Sequence, residues 1–159
     1  MFVERNTKSS RHCWPRRTKN LRVLETLHVS KTIGMNLKQT VPLLLVTDIQ
    51  RSLEFYRDGL GFPLLRSWEL DGQLQWCWLQ QGEAALMLQQ ATDEDPPPAT
   101  WGKGLTLYFL CDDVDALYST LAERNVGASQ PATSFYGMRQ SHVVDPDGYA
   151  LCFEHPTDD

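Results

Sequence analysis

No apolar run in the 159-residue chain approaches the roughly 18 residues that a membrane-spanning helix needs. The first residues also lack the apolar segment of a secretory signal. Both absences point to a soluble, cytoplasmic protein, and a hydrophobic fraction of 42% leaves enough apolar mass for one packed core. Paired cysteines are missing too. The four present (Cys13, Cys77, Cys111 and Cys152) form no CxxC pair, and only His142 and His155 of the four histidines lie beyond residue 34. A structural zinc site requires closer spacing and more imidazole. Three of the cysteines sit in strand-like runs, as in Trp76-Cys77-Trp78 and Leu151-Cys152-Phe153, which suits reduced, buried thiols. There is no Ser-His-Asp order, no phosphate loop and no dinucleotide glycine fingerprint.

Charge is present but divided. The net charge is −5, yet residues 1–34 hold eight Lys/Arg against two Glu, and residues 35–159 hold seven against eighteen Asp/Glu. Such a split marks a basic extension, placed at 1–37, joined to an acidic domain, placed at 38–157. The acidic domain would repel phosphates, so nucleic acid is not an expected partner, and neither is a membrane. The extension reads three ways: a targeting or partner arm, a patch for an anionic surface, or sequence upstream of a true start at Met35. The last is preferred, because MNLKQTVPLLLV leads directly into a strand. On any of these readings the extension is expected to be poorly ordered and remote from chemistry.

What the domain does have is a repeat. Val41–Val46 is a strand-like run, followed by Asp48 as helix N-cap and apolar positions Ile49, Leu53, Tyr56 and Leu60 at helical spacing, ending at Gly59 and Gly61. Leu105–Leu110, then Asp113, then Val114, Leu117, Tyr118 and Leu121 repeat the plan. Three strand candidates follow each helix: Phe62–Leu70, Gln73–Gln80 and Ala84–Gln90 in the first half, and about Ala128–Phe135, Met138–Val144 and Tyr149–His155 in the second. Asp71-Gly72 and Asp145-Pro-Asp-Gly148 are turn signals. The proline-bearing segment 91–104 links the halves.

VPLLLVTDIQRSLEFYRDGLGF, GLTLYFLCDDVDALYSTLAERNV and DPDGYALCFEHP together resemble the vicinal-oxygen-chelate superfamily, which includes glyoxalases, bleomycin-resistance proteins and extradiol dioxygenases. The resemblance implies an α+β fold of two βαβββ modules, each a cupped sheet with helices outside and a ligand cavity inside. Members commonly pair modules between chains, which implies a homodimer with a shared cavity. The two-residue period of a strand then assigns faces. Leu44, Val46, Cys77, Leu79, Leu86, Leu88, Leu107, Phe109, Leu151 and Phe153 are expected against the helices. Leu74, Trp76, Trp78, Met87, Gln89, Thr106, Tyr108, Cys152 and Glu154 are expected in the cups.

Carried over by resemblance, the family's four metal-ligand positions fall on Val41, Met87, Thr106 and Cys152. None is a His, Glu or Gln, so no metal or other cofactor is expected. Without it the family's Lewis-acid chemistry loses its electrophile. The leading expectation is metal-free binding or sequestration of a small aromatic or cationic molecule, of the kind that confers drug tolerance. Trp76 and Trp78 offer stacking faces, Met87, Gln89 and Tyr108 line the walls, and Glu154 meets a cation. Trp101 either lids the cavity or anchors the linker. Tyr136, Arg139 and His142 are candidates at the mouth, with an ion pair as the simpler role for Arg139. Two other readings stay open: a metal-dependent lyase, isomerase or dioxygenase with displaced ligands Gln89, Glu154 or His142, and a non-catalytic dimeric regulatory module.

Overall fold

Each of the two repeated halves forms its own four-stranded sheet in the computed structural model, which describes residues 38–96 and 98–157. The basic extension and Met35 lie outside the described residues. The first half contains β1 (Leu43–Val46), α1 (Ile49–Glu54), β2 (Leu64–Leu70), β3 (Gln73–Gln81) and β4 (Ala84–Gln90). The second contains β5 (Thr106–Leu110), α2 (Val114–Glu123), β6 (Ala132–Thr133), β7 (Met138–Val144) and β8 (Ala150–Pro156). Strand orders are β1-β4-β3-β2 and β5-β8-β7-β6. β1 runs parallel to β4 and β5 to β8, and the remaining pairs are antiparallel. This is the expected α+β plan of two βαβββ modules. Among the described residues β1 and β5 each pair on one side only, so each sheet ends there in a strand with an open edge.

The helix starts follow from their caps. Asp48 accepts from the Gln50 and Arg51 amides, and Asp113 from the Asp115 and Ala116 amides, both from extended backbone. The repeat goes one level deeper. The amide of Ile49 donates to Gln90 Oε1, and that of Val114, at the matching place, donates to His155 Nδ1. In each module the end of the last strand thus satisfies the first orphan amide of the helix.

Three elements differ from the periodic reading. α1 stops at Glu54 and the chain continues as a π-helical turn, Phe55–Gly59, in which the Leu60 amide bonds Phe55 O at 2.9 Å. The expected strand 128–135 shrinks to Ala132–Thr133. Upstream of it, Ser129 engages β7 through its side chain as well as its backbone, with Ser129 Oγ accepting from the His142 amide and Ser129 O from Ser141 Oγ. Leu74, expected in the cup, is buried in the core. The cause is a bulge: Trp68 pairs with Trp76 but Glu69 with Leu74, so Gln75 is an extra residue that reverses the alternation beyond it.

One apolar cluster unites both modules. It runs from Leu44, Val46, Leu53 and Tyr56 to Leu121, Val143, Leu151 and Phe153. Phe109 joins them, edge-on to Phe62 and stacked on Phe153. The Asp145–Gly148 turn ties the second module to the first. Tyr56 Oη donates to Asp145 Oδ2 at 2.9 Å. Asp147, its side chain 1% exposed, accepts from the Thr47 amide, Thr47 Oγ1 and Ser52 Oγ. The linker seats against this turn at Gly102, whose φ is +64° and where a Cβ would lie 3.0 Å from Tyr149 Cδ1.

Candidate functional site

Register places the cup side chains. Trp68, Trp76, Gln89 and Leu45 lie opposite one another across β2, β3, β4 and β1, and Arg66, Trp78, Met87 and Leu43 form the next row. The other face of this sheet carries Cys77, Leu79, Leu86 and Leu88 into the core. Trp68, Leu70, Gln75, Trp76 and Gln89, with Gln90 and Thr92, line a groove of about 590 Å³. Trp68 remains 55% exposed on β2, so its indole is available to a ligand. Trp78 is held by a bond from its Nε1 to Gln80 Oε1 at 3.2 Å. Trp68, Leu70, Gln75, Gln90 and Thr92 are the groove residues that pattern reading did not single out. The Asp71-Gly72 turn, with φ of 51° and 77°, has the paired positive dihedrals of a type I′ hairpin. That turn alone sets Trp68 opposite Gln75; the bulge moves it opposite Trp76.

The second sheet presents Thr106, Tyr108 and Leu110 on β5, Gln140 and His142 on β7, and Cys152 and Glu154 on β8. Gln140 Nε2 donates to Glu154 Oε2 at 2.7 Å and to the Tyr136 hydroxyl. Tyr136, Gln140, Glu154 and Tyr108 thus form one polar cluster. The nearness of Tyr136, followed by burial, raises the Tyr108 phenol above its ordinary range. Cys152 shares this face by register but is fully buried, and desolvation pushes its thiol up to about 11. A cleft of about 560 Å³ runs beside β5; every residue of that strand, whichever way it points, lines it, so it follows the open edge.

Two candidates stand elsewhere. Arg139 pairs with Asp115 on α2 at 2.6 Å, on the helix side of β7, and this guanidinium holds the Asp115 carboxyl below its usual range. Trp101 donates from Nε1 to Pro96 O at 2.8 Å and packs against the core, bracing the linker. The structure therefore groups Trp76 and Gln89 at one groove and Tyr108, Tyr136 and Glu154 on the other sheet. Met87 and Trp78 share the first cup face, and His142 is exposed on the second.

Residues 36–153 match the family model described as the Glyoxalase/Bleomycin resistance protein/Dioxygenase superfamily. The chain belongs to this superfamily. It is 30% identical over 114 residues to the Bacillus subtilis (strain 168) protein described as "Uncharacterized protein YraH", covering 65% of this chain and 87% of that one. It is 29% identical over 131 residues to a bleomycin resistance protein of Geobacillus stearothermophilus, covering 72% and 94%. Among solved structures, TnmS3, an antibiotic binding protein from Streptomyces sp. CB03234, superposes with a TM-score of 0.61 at 27% identity, covering 77% of this chain and 99% of that one.

Metal-using members of the superfamily need oxygen or imidazole donors converging on one point. The resemblance puts the corresponding places at Val41, Met87, Thr106 and Cys152, and the strand neighbours of Met87 and Cys152 are Leu43 and Tyr108. Among the described residues, no group of three or more His, Cys, Asp or Glu side chains is close enough to hold an ion. No helix among the described residues is long and apolar enough to cross a membrane.

Proposed function

We propose that the protein is a metal-independent binding protein that sequesters a small planar aromatic or cationic molecule. Its cavities are shared between two copies, with the tryptophan wall of one facing the polar wall of the other. The observation that carries this reading is the pair of sheet faces. One is walled by Trp68, Leu70 and Trp76 over a groove of about 590 Å³, and the other offers Tyr108, Tyr136 and Glu154. Indole faces attract flat and cationic groups, and a carboxylate braced by an amide receives a charged donor. Each face leaves large apolar side chains in water, which a second copy would cover. The bleomycin resistance relative and the antibiotic-binding neighbour support a small-molecule ligand.

Tryptophan fluorescence tests it. Bleomycin and planar aromatic cations are titrated into chelator-treated protein and into Trp68→Ala and Trp76→Ala. Saturable quenching is expected in the parent without added metal, and an affinity lower by about tenfold or more in each variant, as suits the loss of an aromatic contact. Binding that appears only when a divalent metal is restored, or that both variants retain in full, would sink the reading.

A further inference from the structure

Between β6 and β7 the chain turns through Ser134-Phe135-Tyr136-Gly137. Both feet of the turn are pinned. The Ser134 amide donates to Met138 O at 2.8 Å and the Met138 amide to Ser134 Oγ at 3.1 Å. Thr157 bonds Gly137 O through its amide and its hydroxyl. Nothing in this framework calls for an aromatic at position 135. The Phe135 residue is 100% exposed, and among the described residues its ring pairs with that of Tyr136, edge-on with centroids 5.0 Å apart.

Tyr136 is tied inward. Its hydroxyl accepts from Gln140 Nε2, which also holds Glu154, and both of those residues lie on the cup face with Tyr108. Tyr136 is thereby tied to the cup face of the second sheet, and the Phe135 ring beside it lies at 84° to the Tyr136 ring. A single exposed apolar residue is ordinary. This one is held on a braced turn beside a carboxylate–amide pair, with the exposed side chains of Tyr108 and Leu110 on the same face.

We propose that Phe135 is a ligand-contacting, specificity-determining residue, whose ring stacks on the flat part of a molecule held at its polar end by Glu154 and Gln140. The inference rests on the binding function proposed above and adds the group that selects for planarity. A saturated cation would gain the contact with Glu154 and forgo the stacking. A planar cation gains both, and the right-angled Phe135–Tyr136 pair offers it a face and an edge.

Calorimetric titration of the full-length protein with proflavine, a flat tricyclic cation, and with spermidine, a flexible saturated one, tests this. The parent should bind proflavine more tightly than spermidine. Phe135→Ala should lose about tenfold in proflavine affinity, Phe135→Trp should keep it, and spermidine binding should be unmoved by either. Thermal midpoint and sedimentation should match the parent, because the side chain buries nothing. Unchanged proflavine affinity in Phe135→Ala would overturn the role of Phe135 while leaving the binding function standing. A changed oligomeric state in that variant would also overturn it, by making the residue an interface anchor. Failure of the parent to bind proflavine at all would count against the ligand class itself, and the role of Phe135 would fall with it.

Discussion

At the scale of single residues, the second module's turn shows how polar groups lock two apolar halves together. Asp145 accepts from Tyr56 Oη and from the amides of Asp147 and Tyr149. Burial nevertheless raises its carboxyl above the ordinary range, because desolvation outweighs those bonds. The folded chain thus favours the protonated acid more than the unfolded chain does. The favourable contribution is present in acid, below the unfolded pKa, and is lost as pH rises through the folded pKa. Asp145→Asn keeps the shape and removes the titration. Thermal melts of the two proteins from acid to neutral pH should show the parent losing stability relative to the variant as pH rises. A difference that stays flat over that range would rule out the linkage. Tyr56, buried against the same carboxylate, has its phenol raised for the same first cause.

Among elements, the informative one is β3. Strict alternation puts Leu74 with Trp76 and Trp78, but the extra residue at Gln75 returns Leu74 to the core and leaves Gln75 in the groove. Leu74→Ala should therefore cost about 2–5 kcal/mol, the range for truncating a buried leucine. Gln75→Ala should leave stability within about 0.5 kcal/mol, as surface changes do. Denaturant melts decide the matter: a harmless Leu74→Ala would mean that the alternation holds and the bulge is absent. A bulge of this kind has no composition signal. It arises where the hairpin register imposed by Asp71-Gly72 and the burial demands of β3 disagree, and only the packed sheet resolves them.

For the whole molecule, the two sheets share one core on their helix side and leave their cup faces bare. Trp68, Leu70, Tyr108 and Leu110 stay exposed, and among the described residues β1 and β5 have open edges. Apolar faces beside open strand edges favour association. Sedimentation equilibrium should give twice the 18.2 kDa chain mass, with dissociation promoted by a charged residue at Leu110. A chain that stays monomeric at high concentration would mean that each cup works alone, and the shared-cavity part of the proposed function would be withdrawn.

The repeat, the Asp caps, most strand positions and the core faces were legible in the sequence, because they depend on local periodicity and on backbone groups that a nearby side chain must satisfy. Which candidates meet was decided by tertiary structure alone. Arg139 shares the helix side of β7 with the buried Ser141 and Val143 and there meets Asp115 on α2, and Trp101 braces the linker through Pro96. Trp68 enters the groove because a register shift of one residue sets it across from Trp76. Pairing between strands depends on the energy of the whole sheet, which no window of sequence contains.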